Sequence, residues 1–114
     1  MNHRKLEWIW VVFFEYWFDK NGCLHSFMGQ PALIRYRYGK IILKCWCIKG
    51  EIHRNKDFPS KIHYCNRRIM RQYWYKKGEY HRDGDLSAVI WYKNGQISYQ
   101  EHWKNGKLIK REDF

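Results

Sequence analysis

The stretch "HRDGDLSAVIWYKNGQ", residues 81–96, carries a His-Arg pair, two aspartates, an apolar run and an Asn-Gly turn. A histidine beside Asp83 and Asp85 has the ingredients of a general base with orienting carboxylates. The alternative is that these residues form one tile of a repeating pattern. The rest of the chain decides between the two, and with them the fold.

Gly22, Gly50, Gly78 and Gly106 stand 28 residues apart, and His25, His53 and His81 keep the same spacing. Ile34, Ile62 and Ile90 do so as well, followed by Ile41, Ile69 and Ile97. Ala32, Ser60 and Ala88 hold that register, and Pro31 matches Pro59. Trp17, Trp46, Trp74 and Trp103 recur at 29, 28 and 29. Asp57 and Asp85 recur with Asp113, and Arg54 with Arg82, each next to its histidine. Agreement of so many positions without a gap marks an internal repeat, in which each unit buries its apolar face only against its neighbours. Catalytic groups have no reason to recur; structural ones must. The His-Arg-Asp constellation therefore reads as the corner of a unit, and no catalytic residue is assigned.

The turns give the local structure. Lys-Asn-Gly at 20–22, 93–95 and 104–106, and Lys-Lys-Gly at 76–78, are hairpin signals, because Asn and Gly accept positive φ at small cost. Gly39 and Gly95 mark a second turn in each unit, where Arg67 stands in the middle copy. Between turns the chain alternates with period two, so Val89 and Trp91 are expected on one face and Ile90 and Tyr92 on the other. The 11-residue step from Gly95 to Gly106 fits one strand and a turn. The 17-residue step from Gly78 to Gly95 is too long for a single strand and is expected to bend at "RDGD". No 3.6-residue pattern competes. The predicted fold is all-β: an elongated antiparallel meander of stacked β-hairpin repeats with little or no helix. Residues 1–15 form an apolar capping segment, and residues 16–114 form a single domain of about three and a half units. In the last unit Ile109 and Lys110 take the places of histidine and arginine.

"WYKKGEYHRDGDLSAVIWYKNGQ", residues 74–96, resembles the tandem "WYKNG…HRDNDLPA" repeats of many proteins of large DNA viruses such as mimivirus, often grouped with MORN-type variants. The resemblance covers residues 16–113. It departs from the pattern at Ser26 and Gly29 in the first unit, and at Phe58 and Arg67 in the second. It implies stacked β-hairpins, no known catalysis, and a part in protein–protein contact, membrane association or scaffolding.

The formal charge of +11 is concentrated. Residues 35–77 hold thirteen Lys and Arg against Glu51 and Asp57; the remainder holds nine bases and nine acids. Such a block is a candidate footprint for an anionic partner, nucleic acid or anionic lipid; the alternative reading is a solvated surface. Arg35, Arg37, Arg67, Arg68, Arg71, Lys76 and Lys77 are its candidate contacts. Interleaved aromatics in "RYRYGK" and "QYWYKK" suit stacking on bases, with Tyr36, Tyr38, Tyr73 and Tyr75 expected to be exposed. The remaining expectation for a partner is another protein or a second copy of the chain. No small-molecule substrate and no cofactor are implied.

Cys23, Cys45, Cys47 and Cys65 do not follow the period. Cys45 and Cys47 could join Cys65 or His63 around zinc, but one intervening residue in a rigid strand is not a zinc spacing. Free, half-buried thiols are expected, with no metal. The apolar run Trp8–Phe14 is too short to span a bilayer, and Met1 is followed by no signal-type cleavage site. An intracellular location, host cytoplasm or virion in the viral case, is the expectation.

Overall fold

The computed structural model describes residues 3–114. Thirteen strands follow one another, with no helix among the described residues. The chain begins with a hairpin of β1 (His3–Ile9) and β2 (Val12–Phe18). Then come β3 (Leu33–Arg37) and β4 (Lys40–Cys45), and a two-residue pair, β5 (Cys47–Ile48) and β6 (Glu51–Ile52). The same sequence of long and short hairpins follows in β7 (Lys61–Cys65), β8 (Arg68–Tyr73), β9 (Tyr75–Lys76) and β10 (Glu79–Tyr80). The chain ends with β11 (Val89–Lys93), β12 (Gln96–Lys104) and β13 (Lys107–Asp113). Nine of them make one antiparallel meander in the order β1-β2-β3-β4-β7-β8-β11-β12-β13, and β5-β6 and β9-β10 are separate two-stranded ribbons.

The long strands end where the turn chemistry demands. Tyr38–Gly39, Asn66–Arg67 and Asn94–Gly95 all have positive φ at both positions, as a tight hairpin turn needs. Arg67 holds φ +65 where its counterparts are glycine, so the substitution read in the sequence keeps the turn and accepts the strain. Each of these hairpins also carries a one-residue register shift, at Arg35/Tyr36, His63/Tyr64 and Trp91/Tyr92. These bulges bend the sheet near its turns.

Trp46 and Trp74 stand where β4 and β8 leave the sheet. Both are buried, and their indole N–H groups donate to backbone carbonyls, Trp46 to Gly29 at 3.0 Å and Trp74 to Asp57 at 3.4 Å. The core lies around them in two clusters. Ala32, Cys45 and Cys47 pack with Leu24, Leu33 and Ile52; Trp74, Ala88 and Ile90 pack with Tyr92 and Trp103. Val89 and Ile90 are both buried although they face opposite ways, so the sheet is covered on both sides at that level.

The overall dimensions, 41 × 30 × 20 Å, are those of a compact body and not of the elongated stack expected from the sequence. The physical reason is the pairing itself. Nine strands about 4.8 Å apart span roughly 38 Å, little more than the length of a strand with its ribbon. The expected bend between Gly78 and Gly95 is found, as an irregular path from Tyr80 to Val89. The expected capping segment is a hairpin that pairs with β3 through β2, and the 15/16 boundary falls inside β2.

Candidate functional site

The corners assembled around His25, His53 and His81 come first, because they hold the residues that looked catalytic. In each, the imidazole Nδ1 accepts a backbone N–H from the next short turn along the chain: His25 from Lys49 at 3.0 Å, His53 from Lys77 at 3.2 Å, and His81 from Asn105 at 2.9 Å. The turn glycines bind backwards in the same sense. Gly50 N–H donates to Leu24 C=O, Gly78 to Ile52 and Gly106 to Tyr80. Each short turn is thereby tied to the segment that opens the preceding corner, Leu24–His25, Ile52–His53 or Tyr80–His81.

This fixes the chemistry of His81. Its Nδ1 lone pair is occupied by Asn105 N–H, so the ring proton sits on Nε2, which lies 2.7 Å from Asp83 Oδ1 and donates to it. The hydrogen bond from His81 lowers the Asp83 carboxyl below its ordinary value. A general base needs a free lone pair aimed at a substrate proton; here neither ring nitrogen has one. His53 is held alike, with Asn55 Oδ1 3.1 Å from Nε2 in place of the carboxylate.

The arginines next to these histidines lie flat on the tryptophans. Arg54 sits 3.8 Å above the Trp46 ring and Arg82 3.9 Å above Trp74. Arg54 donates to Pro59 C=O at 3.1 Å and Arg82 to Ser87 C=O at 3.0 Å, closing the two corners. Arg82 also makes a two-pronged pair with Asp57 of the preceding corner, at 2.9 and 3.0 Å, which holds that carboxyl below its ordinary range. Asp85 does not take the equivalent place. It is fully exposed, 3.7 Å from His102 Nδ1. Between the two corners lies an open groove of about 580 Å³ lined by His53, Asp57, Trp74, His81 and Arg82.

Trp17 and Trp103 are half-buried, Trp17 in β2 under Arg4 and Trp103 against Tyr80. All four turn glycines, 22, 50, 78 and 106, have positive φ.

The seven candidate anion contacts fall in three places. Arg37, Arg67 and Arg68 lie at the rim made by the long-hairpin turns. Lys76 and Lys77 lie at the opposite end, in and after β9. Arg35 and Arg71 lie on a sheet face, in register with Leu43 and His63 across β3, β4, β7 and β8. Arg35 approaches the Phe14 ring, Arg71 covers Trp91 at 4.2 Å, and the buried Nε of Arg35 has no hydrogen-bond partner. Burial, then Lys61, Arg71 and Arg35 in turn, push the His63 imidazole down to about 4. Sequence reading missed this cationic row. Its signal was there, in the alternation that puts Arg35 and Arg37, and Lys61 and His63, on one face.

Of the tyrosines expected to be exposed, only Tyr38 is. Tyr73 is buried, because it stands opposite both Lys61 and Val89 and stacks on Tyr80. Trp8 and Trp10, at the tip of the β1–β2 hairpin, are the most exposed tryptophans, at 70% and 94%. Cys45 and Cys47 are buried and free; a hydrogen bond to Cys45 and burial raise the Cys47 thiol. Cys65 is exposed at the far end of β7, away from that pair. Among the described residues, no group of three His, Cys, Asp or Glu side chains comes within reach of one ion. No helix among them is long and apolar enough to cross a membrane. Comparison of the chain with protein-family models, curated proteins and solved structures finds no match.

Proposed function

We propose that this is a non-enzymatic, MORN-like repeat protein of the kind encoded by large DNA viruses, built on a 28-residue unit and acting as a protein–protein interaction or scaffold module. The observation that carries the reading is the use made of the repeated histidines. Each spends its Nδ1 lone pair on the next turn's N–H, so the residues that most resemble an active site serve to join one unit to the next. The Trp–Arg stacks and the corner carbonyls they bridge support the same assignment. A sheet held together in this way presents surface, not a reaction centre.

The test compares His53→Ala with His81→Ala. Each removes one acceptor for a turn N–H, a loss of about 1 kcal/mol, and the two are expected to lower the melting temperature by similar amounts. A His81→Ala protein that keeps its stability but loses a measurable hydrolytic or transfer activity would sink the reading. For the interaction itself, complexes formed in the native source should survive moderate salt. A protein that stays monomeric and captures nothing there would count against it.

A second reading, binding of an anionic surface such as nucleic acid or anionic lipid, is favoured by one specific feature. The four turn segments along the long-hairpin rim, residues 8–13, 36–41, 64–69 and 92–97, contain Arg37, Lys40, Arg67, Arg68 and Lys93 and not one acid. Tyr38, Trp8 and Trp10 stand exposed on the same rim. Binding to single-stranded nucleic acid or to phosphatidylserine vesicles, falling steeply with salt, is the expected signature. No binding to either at low salt would remove this reading.

A further inference from the structure

The sheet does not close, and its two outer strands are guarded unequally. β13 carries Lys107, Lys110, Arg111, Glu112 and Asp113 within seven residues, and its pairing with β12 is broken by a register shift at His102/Trp103. Charge and bulges are the usual protection of an exposed edge. β1 has neither the bulge nor a proline. It pairs with β2 straight through seven consecutive positions and exposes Leu6 (51%), Trp8 and Ile9.

Which backbone groups of β1 are free depends on the turn. Ile9 and Val12 close a two-residue hairpin, so Ile9, Glu7, Lys5 and His3 direct their N–H and C=O groups at β2. The neighbouring bonds agree. Val11 C=O accepts from Tyr38, and Trp17 N–H donates to Ala32, so the odd residues of β2 face β3 and the even ones face β1. Arg4, Leu6 and Trp8 therefore point their backbone groups outward.

We propose that β1 is the contact strand of a two-fold dimer, pairing antiparallel with β1 of a second copy about Leu6. In that register every outward residue meets an outward residue: Leu6 meets the partner's Leu6, Arg4 the partner's Trp8, and Trp8 the partner's Arg4. All of their free N–H and C=O groups are then paired. Arg4 and Trp8 share one face of the strand; within the chain Arg4 pairs with Glu15 over Trp17 and Trp8 packs on Phe13, so the two-fold pairing sets the Arg4 cluster of one copy beside the Trp8 cluster of the other. On the other face Lys5 stands opposite the partner's Glu7, and Glu7 opposite the partner's Lys5, at the non-hydrogen-bonded sites where side chains approach most closely. Lys5 and Glu7 already pair within the chain at 3.2 Å, so the dimer joins two such pairs into a ring of alternating charge. Centring the two-fold axis on Arg4 instead would set Arg4 against itself and His3 against Lys5. Centring it on Trp8 would run off the strand into the turn. The inference rests on the interaction-module reading, since it names a second copy as the partner.

Sedimentation velocity of the full chain tests it. The wild type is expected to dimerise. Lys5→Glu and Glu7→Lys each place like charges opposite one another at both sites and should weaken the dimer about tenfold or more. An equimolar mixture of the two variants should recover wild-type affinity as a heterodimer, because every facing pair is then opposite in sign. Leu6→Pro removes an outward N–H that makes no bond to β2, and should yield a monomer with an unchanged melting temperature. A monomeric wild type, or a mixture no tighter than its components, overturns the dimer. Growth beyond two copies also overturns it, in favour of β1 pairing with β13. A monomer that still binds a different protein in a salt-resistant complex would refute this dimer and leave the broader reading standing.

Discussion

Arg82 offers the sharpest test of how the corners are held, because the molecule contains its own control. Arg82 lies 3.9 Å above Trp74, donates to Ser87 C=O at 3.0 Å, and grips Asp57 at 2.9 and 3.0 Å. Arg54 has the first two contacts, 3.8 Å above Trp46 and 3.1 Å from Pro59 C=O. The residue 28 places before Asp57 is Gly29, so the first corner offers no carboxylate to Arg54. The stack contributes about 1 kcal/mol at a half-covered site, and the bond to the corner carbonyl about 1 kcal/mol. The bidentate pair adds on the order of 0.5 kcal/mol, since the Asp57 side chain is more than half exposed and screened. Arg54→Ala should therefore lower stability by about 2 kcal/mol and Arg82→Ala by about 2.5 kcal/mol.

Urea unfolding at pH 7, followed by tryptophan fluorescence, measures both, and adding Asp57→Asn completes a double-mutant cycle with Arg82. The coupling energy should be small, about 0.5 kcal/mol, and should shrink in high salt, while the larger common loss should not. A coupling above about 2 kcal/mol would mean that the ion pair, and not the stack on tryptophan, holds the corner. Arg82→Lys separates these further: it keeps the charge but loses the flat guanidinium, and should recover less than half of the loss. Full recovery would refute the stacking argument.

Two further outcomes concern single residues. His63 is held near 4 by burial and by Lys61, Arg71 and Arg35. Between pH 6.5 and about 4 the unfolded chain therefore binds a proton that the folded one refuses, and stability falls as pH falls through that window. The side chain is only partly buried, so the loss is on the order of 1–2 kcal/mol after screening. His63→Leu should remove that part of the pH dependence in urea titrations at pH 7 and pH 4.5; parallel losses in both proteins would show that His63 is not its source. Arg67→Gly should raise stability by about 1 kcal/mol by relieving the positive φ, seen as a higher urea midpoint. The same change should weaken any salt-sensitive binding by the rim, and an unchanged or lower midpoint would show that Arg67 makes contacts worth more than its strain.

What could be read in the sequence depended on whether a single physical rule governed the residue. Hairpin turns were legible because positive φ restricts the residue type: Gly22, Gly39, Gly50, Gly78, Gly95 and Gly106 all sit in turns. Antiparallel pairing was implied by the alternation and by the short steps between turns. The compact shape was not legible, because it depends on whether units add along the strand direction or across it, and period alone says nothing of that. Tyr73 was misread for a related reason. Its exposure is set by β11 and Tyr80, which approach from later in the chain. The cationic row around His63 needed strand register across neighbouring hairpins, which a bulge in each of the β3–β4, β7–β8 and β11–β12 hairpins displaces by one residue. The role of the histidines lay between these cases. Their recurrence argued for structure, but the atom they hold, a backbone N–H 24 residues on, belongs to no side-chain pattern.

The strand after Gly106 bears on what the corner residues do, because positions 109 and 110 hold neither histidine nor arginine. Positions 109 and 110, 28 residues after His81 and Arg82, are Ile and Lys. In the inner units the chain leaves the short ribbon, turns a corner at 54–60 or 82–88, and only then enters the next long strand. At 107–113 there is no corner: β13 continues through a single register shift at Ile109, its first residues pairing with Trp103 and Lys104 as a short ribbon does, and its later ones with Tyr99–His102 as a long strand does. β12 is correspondingly unbroken, while β4 and β8 stop at Trp46 and Trp74. Turn signals are the same in both cases, since Asn105–Gly106 is as good a turn as Lys77–Gly78. The difference lies in the residues just past the turn. A histidine can accept the next turn's N–H, and an arginine can lie on the preceding tryptophan while holding the carbonyl at the corner's far side. Together these bonds offset the entropy of fixing six or seven irregular residues. Isoleucine cannot accept that N–H, and lysine lacks the flat guanidinium that stacks and donates together. His25, His53 and His81 thus stand at all three corners, with Arg54 and Arg82 closing the second and third, and β13, which has Ile109 and Lys110 at those places, carries no corner.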